Sequence, residues 1–157
     1  FWGLQGDPAM AEVVARLRVP VVIMHNQATT DYSDLIGEMT AFFQRSLAIA
    51  REAGIPEDQI ILDPGIGFGK TPLQNVEVMG HLEPFVDLGY PFLLATSRKS
   101  TLGRILDLPP KERVEGTIAT TVLGIAQGVD MVRVHDVKEN RRAAQVADAI
   151  IRGNWHG

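Results

Sequence analysis

An aspartate, a lysine, an arginine and a histidine carry most of the chemistry available to this sequence. Asp63 closes the apolar run Ile60, Ile61, Leu62 and precedes a turn containing Gly65, Gly67 and Gly69, in the stretch QIILDPGIGFGKT at 59–71. A carboxylate at the mouth of a buried strand, beside glycines that let a ligand approach the backbone, suits recognition of a polar ligand. A capping or turn-forming aspartate would fit almost any strand-to-helix junction. Function ranks ahead because other apolar runs end the same way: 19–24 in His25 and Asn26, 92–94 in Thr96, Ser97, Arg98 and Lys99, and 131–134 in His135 and Asp136.

Arg98 and Lys99 at a strand mouth require water or an anionic partner. A solvated loop would satisfy Arg98, whereas Lys99 is expected to face Asp63 across adjacent strands. Arg133 interrupts a strand where an apolar residue would pack better, and a structural ion pair is the competing explanation. Its two-residue spacing from His135 puts both side chains on one strand face, an arrangement suited to phosphate. Met24 and the nearby valines read as core, His25 and Asn26 as loop caps, Lys70 as a neutraliser of surface charge, and Asp136 as the cap of the last helix.

Two phosphate motifs are absent. A P-loop needs glycine five positions before Gly69, where Pro64 stands, and the dinucleotide fingerprint needs glycine at 70, where Lys70 stands. The four histidines are dispersed without helical spacing, so no metal cluster is expected.

The elements that must position these residues follow from hydrophobic period. Apolar residues at helical spacing predict helices over 7–17, 34–53, 74–88, 111–127 and 138–152, with Pro84 bending the third and a short helix or turn at 100–106. Apolar runs predict strands at 19–24, 59–62, 92–94 and 131–134. The order is one helix and then four strand-helix units of roughly 30 to 40 residues, typical of βαβ architecture. Right-handed crossovers would gather all four strand C-termini, and with them the polar residues, on one edge. Four parallel strands leave two open edges, so they are expected either in a small open sheet or as half of an eight-stranded barrel, with self-association covering the edges.

With 45% hydrophobic residues over 157 positions, the chain is expected to be a single domain with residues 153–157 as a frayed tail. A net charge of −4 and a pI near 5.5 argue against a nucleic-acid surface. There is no cysteine and no apolar stretch of spanning length, so no membrane is expected and the cytoplasm is the expected location. The chain begins at Phe1 without an initiator methionine, which suggests a fragment or processed product.

In these residues the chain resembles the dihydropteroate synthases of the pterin-binding TIM-barrel superfamily. The resemblance runs through VVIMHNQ (21–27), ILDPGIGFGKT (61–71), SRKS (97–100), EGT (115–117) and RVHDV (133–137). It implies an α/β fold, a parallel (β/α)8 barrel of which this chain supplies the C-terminal half, strands five to eight. It also implies a transferase of folate biosynthesis that condenses 6-hydroxymethyl-7,8-dihydropterin diphosphate with 4-aminobenzoate. Asp63 and Lys99 would be catalytic. Asp63, Met24, Gly67, Phe68, Lys99 and Arg133 would bind the pterin, Phe68, Lys99 and Ser100 the aminobenzoate, and Arg133 and His135 the diphosphate. Mg2+ would be held through the absent N-terminal half, so the chain alone is expected to be inactive, and a homodimer or larger assembly is expected. Asn26, Ala28 and Ala95 depart from common family residues. The alternatives are a corrinoid-linked methyltetrahydrofolate methyltransferase, disfavoured by SRKS and RVHD, and a non-catalytic, pterin-binding or self-associating half barrel.

Overall fold

The structure, a computed structural model, describes residues 2–153 and 155. Helix α1 (Pro8–Leu17) starts where the Asp7 carboxylate accepts the Ala9 N–H at 2.9 Å and Pro8 supplies a first-turn residue with no N–H to satisfy. Helix α2 (Leu35–Glu52) starts in the same way, with Asp34 accepting the Gly37 N–H at 3.0 Å. It buries Met39, Phe42, Phe43, Leu47 and Ala50 along one stripe.

The strands are β1 (Val21–Met24), β2 (Ile60–Asp63), β3 (Leu93–Leu94) and β4 (Met131–Val132). β1 begins two residues later than expected because Pro20 has no N–H for a ladder. β4 ends at Val132, although the Arg133 N–H still donates to the Leu94 carbonyl at 3.1 Å.

The single bent helix expected over 74–88 is instead two, α3 (Pro72–Gly80) and α4 (Glu83–Val86). Thr71 and Gln74 form a reciprocal capping box that starts α3 early, and Pro84 sits in the first turn of a new helix instead of bending an old one. α5 (Ser100–Leu106), α6 (Val114–Ala126) and α7 (Val137–Ile151) complete the chain, with a 3-10 turn at Pro110–Glu112 where the helix was expected to begin. Positions 154, 156 and 157 of the expected tail lie outside the described residues.

All strand pairings are parallel. β1 and β2 align Val21 with Ile60 through Met24 with Asp63, and β3 and β4 align Leu93 with Met131 and Leu94 with Val132. A bridge between Leu62 and Phe92, with the Leu62 N–H on the Pro91 carbonyl at 2.9 Å, joins the two pairs. The spatial order is therefore β1-β2-β3-β4. A doubly wound sheet would reverse direction at a switch point, whereas an unreversed order is that of a barrel wall.

One face of this wall is covered. Ile23, Leu62, Phe92 and Leu94 are each at most 2% exposed and lie under the helices. Phe43 meets Phe85 edge-on at 5.6 Å and Phe85 stacks on Phe92 at 6.2 Å. Each such ring contributes roughly 1.5–3 kcal/mol by leaving water. Alternation along the strands sends Val22, Met24, Asp63, Leu93 and Met131 to the opposite face, where Val22 and Met131 remain 44% and 37% exposed. Among the described residues no helix is long and apolar enough to cross a membrane.

Candidate functional site

Asp63 is the last residue of β2 and its side chain lies on the less covered face of the wall, 6% exposed, level with Met24 of β1. Its Oδ1 accepts the Gly65 N–H at 2.7 Å. Burial pushes the Asp63 carboxyl above its ordinary range. The Gly65 hydrogen bond and the charges of Lys99, Lys70 and Arg133 work against that. A ligand presenting two N–H groups would return the solvation this carboxylate has lost.

The turn after Asp63 requires glycine. Gly65 has a φ of +65°, and a Cβ there would lie 2.0 Å from the His25 carbonyl oxygen. Lys70 locks this turn from beneath, contrary to its expected role at the surface. It is 8% exposed, and its Nζ donates to the carbonyls of Pro64, Gly65 and Phe68 at 2.9, 3.1 and 3.1 Å, with His25 Nδ1 at 2.9 Å. Burial lowers the Lys70 pKa to about 7. His25, expected as a loop cap, is instead a core ring, 4.7 Å from the Phe42 ring, and burial beside Lys70 takes its pKa to about 3.

Lys99 immediately precedes α5. Its ammonium donates to the Ile66 carbonyl and lies 5.1 Å from the centre of the Phe68 ring, a cation–π contact that joins the Ser97–Ser100 loop to the glycine turn. The expected approach to Asp63 is electrostatic: Asp63 raises the Lys99 pKa against a larger lowering by burial, and no ion pair joins them among the described residues. Gly67 backs onto the same lysine, since a Cβ there would lie 3.5 Å from Lys99 Cδ.

Four of the residues singled out from sequence share one cleft. Phe68, Lys99, Arg133 and His135, together with Ala95, Ser97 and Val134, line a space of about 270 Å3 at the strand C-termini. Asp63, Met24, Gly67 and Ser100 are not in its lining. Asp63 still interacts with Lys99 and Arg133, and Ser100, the first residue of α5, is exposed.

Three further contacts brace this edge. Arg98 is not simply solvated: its guanidinium makes a two-pronged bond to Asp136, at 3.1 and 2.6 Å, which holds the Asp136 carboxyl below its ordinary value. Asp136 therefore does not cap α7 with its side chain. Arg98 itself sits at a φ of +58°, and Arg113 Nη1 donates to the Arg98 carbonyl at 2.8 Å and the Lys99 carbonyl at 3.3 Å. Ser97 Oγ accepts the His135 N–H at 3.0 Å and lies 2.7 Å from His135 Nδ1. Sequence reasoning missed the roles of Lys70, Ser97 and Arg113. The only signal for them was their nearness to a motif.

Residues 1–135 match the model of the family described as pterin binding enzyme. Dihydropteroate synthase of Bacillus subtilis is 54% identical over all of this chain, which covers 56% of that protein, and the Escherichia coli K12 protein of the same name is 35% identical over 92% of this chain and 54% of its own length. A crystal structure of dihydropteroate synthase from Clostridium difficile in the presence of pteroic acid superposes with a TM-score of 0.94 at 53% identity, covering 96% of this chain and 58% of that one. This chain thus spans about half the length of the curated relatives it matches. With an unreversed parallel wall of barrel type and a family match over most of its length, the chain belongs to the pterin binding enzyme family.

Proposed function

We propose that this chain is the substrate-binding part of a dihydropteroate synthase, contributing strands five to eight of its barrel. The observation that carries the reading is the cleft at the strand C-termini, where Phe68, Lys99, Arg133 and His135 converge and a buried carboxylate, Asp63, lies within their field. The Asp63 carboxylate would accept two parallel hydrogen bonds from the ring N–H and exocyclic amine of the pterin, and Lys99 would donate to its carbonyl and ring nitrogen. Met24, level with Asp63, and Gly67, beside Lys99, would flank the bound pterin. The bond between the pterin methylene carbon and the diphosphate oxygen breaks with its electron pair leaving on oxygen. Arg133 and His135 receive that charge, while the field of Asp63 favours the positive charge left on carbon. The aminobenzoate, its ring and carboxylate end held by Phe68, Lys99 and Ser100, forms the new C–N bond through its free amine nitrogen, which releases one proton.

This chain spans about half the length of the curated relatives it matches, and Mg2+ is proposed to be held by the part of the enzyme that this half does not supply, so no step here runs through it. The isolated chain is accordingly proposed to lack turnover. A homodimer or larger assembly is proposed to cover the open edges that the strand order leaves at β1 and β4, while an apolar groove lies between α3, α5 and α6, where Ile105 and Leu123 are 61% and 62% exposed. Sedimentation of a folded monomer would refute the dimer.

Calorimetric titration tests the ligand assignment. The chain is expected to bind 6-hydroxymethylpterin, and Asp63→Asn to weaken that binding roughly 10-fold or more, the scale of lost hydrogen bonds to a charged group. Equal binding by Asp63→Asn, or none by the unaltered chain, would refute the reading.

A further inference from the structure

Ser97 belongs to the strand-end loop before α5 and His135 to the loop before α7, 38 residues away. Ser97 is 7% exposed, whereas the His135 ring is exposed at the cleft. A serine hydroxyl has one proton and two lone pairs. The His135 backbone N–H takes one lone pair of Oγ at 3.0 Å, and ring Nδ1 lies 2.7 Å from the same oxygen. No other hydrogen-bond acceptor meets this Oγ among the described residues. If Nδ1 carried the ring proton, the oxygen would accept twice and its own proton, on a nearly buried serine, would find no acceptor among the described residues.

We propose that Ser97 is a positioning residue that donates its hydroxyl proton to His135 Nδ1 and so fixes the neutral ring in the tautomer protonated at Nε2. The ring then presents an N–H, not a lone pair, to the cleft beside Arg133 and Lys99. That is the form that can donate to an oxygen of a departing diphosphate, whereas the other tautomer would set a lone pair against an anion. The same serine fixes the ring's place, because the backbone and side-chain bonds to His135 share one oxygen. The purpose of this arrangement rests on the diphosphate reading given above; the tautomer itself does not.

The test is nitrogen NMR of the 15N-histidine-labelled full chain at a pH where the ring is neutral, with His135→Gln identifying the His135 signals. The expected spectrum has His135 Nε2 as the protonated, pyrrole-type nitrogen and Nδ1 as the pyridine-type one. In Ser97→Ala this preference collapses toward a mixture and the dissociation constant for inorganic diphosphate rises about fivefold, the scale of one hydrogen bond. Ser97→Thr, which keeps the hydroxyl, restores both. A proton on Nδ1 in the unaltered chain, or a tautomer unmoved by Ser97→Ala, overturns the proposal. The expected tautomer together with no diphosphate binding by the unaltered chain would support the positioning and refute the diphosphate reading alone.

Discussion

Acid should destabilise this fold through one histidine. His25 is 2% exposed, wedged against Phe42, with Phe43 and Tyr32 at longer range. Its Nδ1 meets the Lys70 ammonium at 2.9 Å, and burial, Lys70 and Arg45 together lower its pKa from 6.5 to about 3. Between those values the unfolded chain binds a proton that the folded chain refuses, so stability falls as pH falls. The contribution is complete above pH 6.5 and is lost progressively toward pH 3. Lowering the pH to 4 crosses about 2.5 units of that window, and at about 1.36 kcal/mol per unit this removes about 3 kcal/mol. Urea unfolding at pH 7 and pH 4 measures it, with His25→Gln as the reference that lacks the group but retains an acceptor for Lys70. The unaltered chain should lose about 3 kcal/mol more than the variant over that interval. Equal losses, or a folded-state NMR titration of His25 near its ordinary value, would refute the reasoning.

Other perturbations follow from the same turn. Lys70→Met strips the donor from the Pro64 and Phe68 carbonyls, while the Gly65 carbonyl keeps the Phe68 N–H at 3.0 Å. The buried Pro64 carbonyl left unpaired, offset by relief of a buried charge, should cost about 1–3 kcal/mol in urea unfolding, and no measurable loss would contradict the clamp. Gly65→Ala combines a left-handed backbone with a methyl group 2.0 Å from a carbonyl oxygen, so it should lose more than about 2 kcal/mol, whereas Gly54→Ala, with open space around it, should lose only its φ strain. Gly103→Ala would put a methyl group 2.2 Å from Arg113 Nη2, so it should displace that guanidinium from the Arg98 and Lys99 carbonyls and weaken pterin binding; unchanged affinity would show that Arg113 does not set the loop.

Local chemistry made the elements legible. Asp7 with Pro8, and Asp34 before its apolar stripe, announced two helix starts that the hydrogen bonds bear out. The early start of α3 was also written in Thr71, Pro72 and Gln74, a capping box overlooked in favour of the apolar period further on. The parallel order and the gathering of Lys99, Arg133 and His135 on one edge followed from the alternation of strand and helix. What stayed hidden was pairing across long separations. Nothing near Arg98 in sequence points to Asp136, nor near Ser97 to His135, because those bonds depend on how two loops meet after the wall has formed. Lys70 was misread for a related reason: a charged residue among glycines reads as surface unless the inward-pointing carbonyls that receive it are known.

A structure of this chain with pteroic acid bound tests the central claim most directly. The account predicts the pterin edge on the Asp63 carboxylate and Lys99, its face near Arg133, and the benzoate end beside Phe68 and Ser100. A ligand lodged instead in the apolar groove between α3, α5 and α6, or seated with no contact to Asp63, would contradict it.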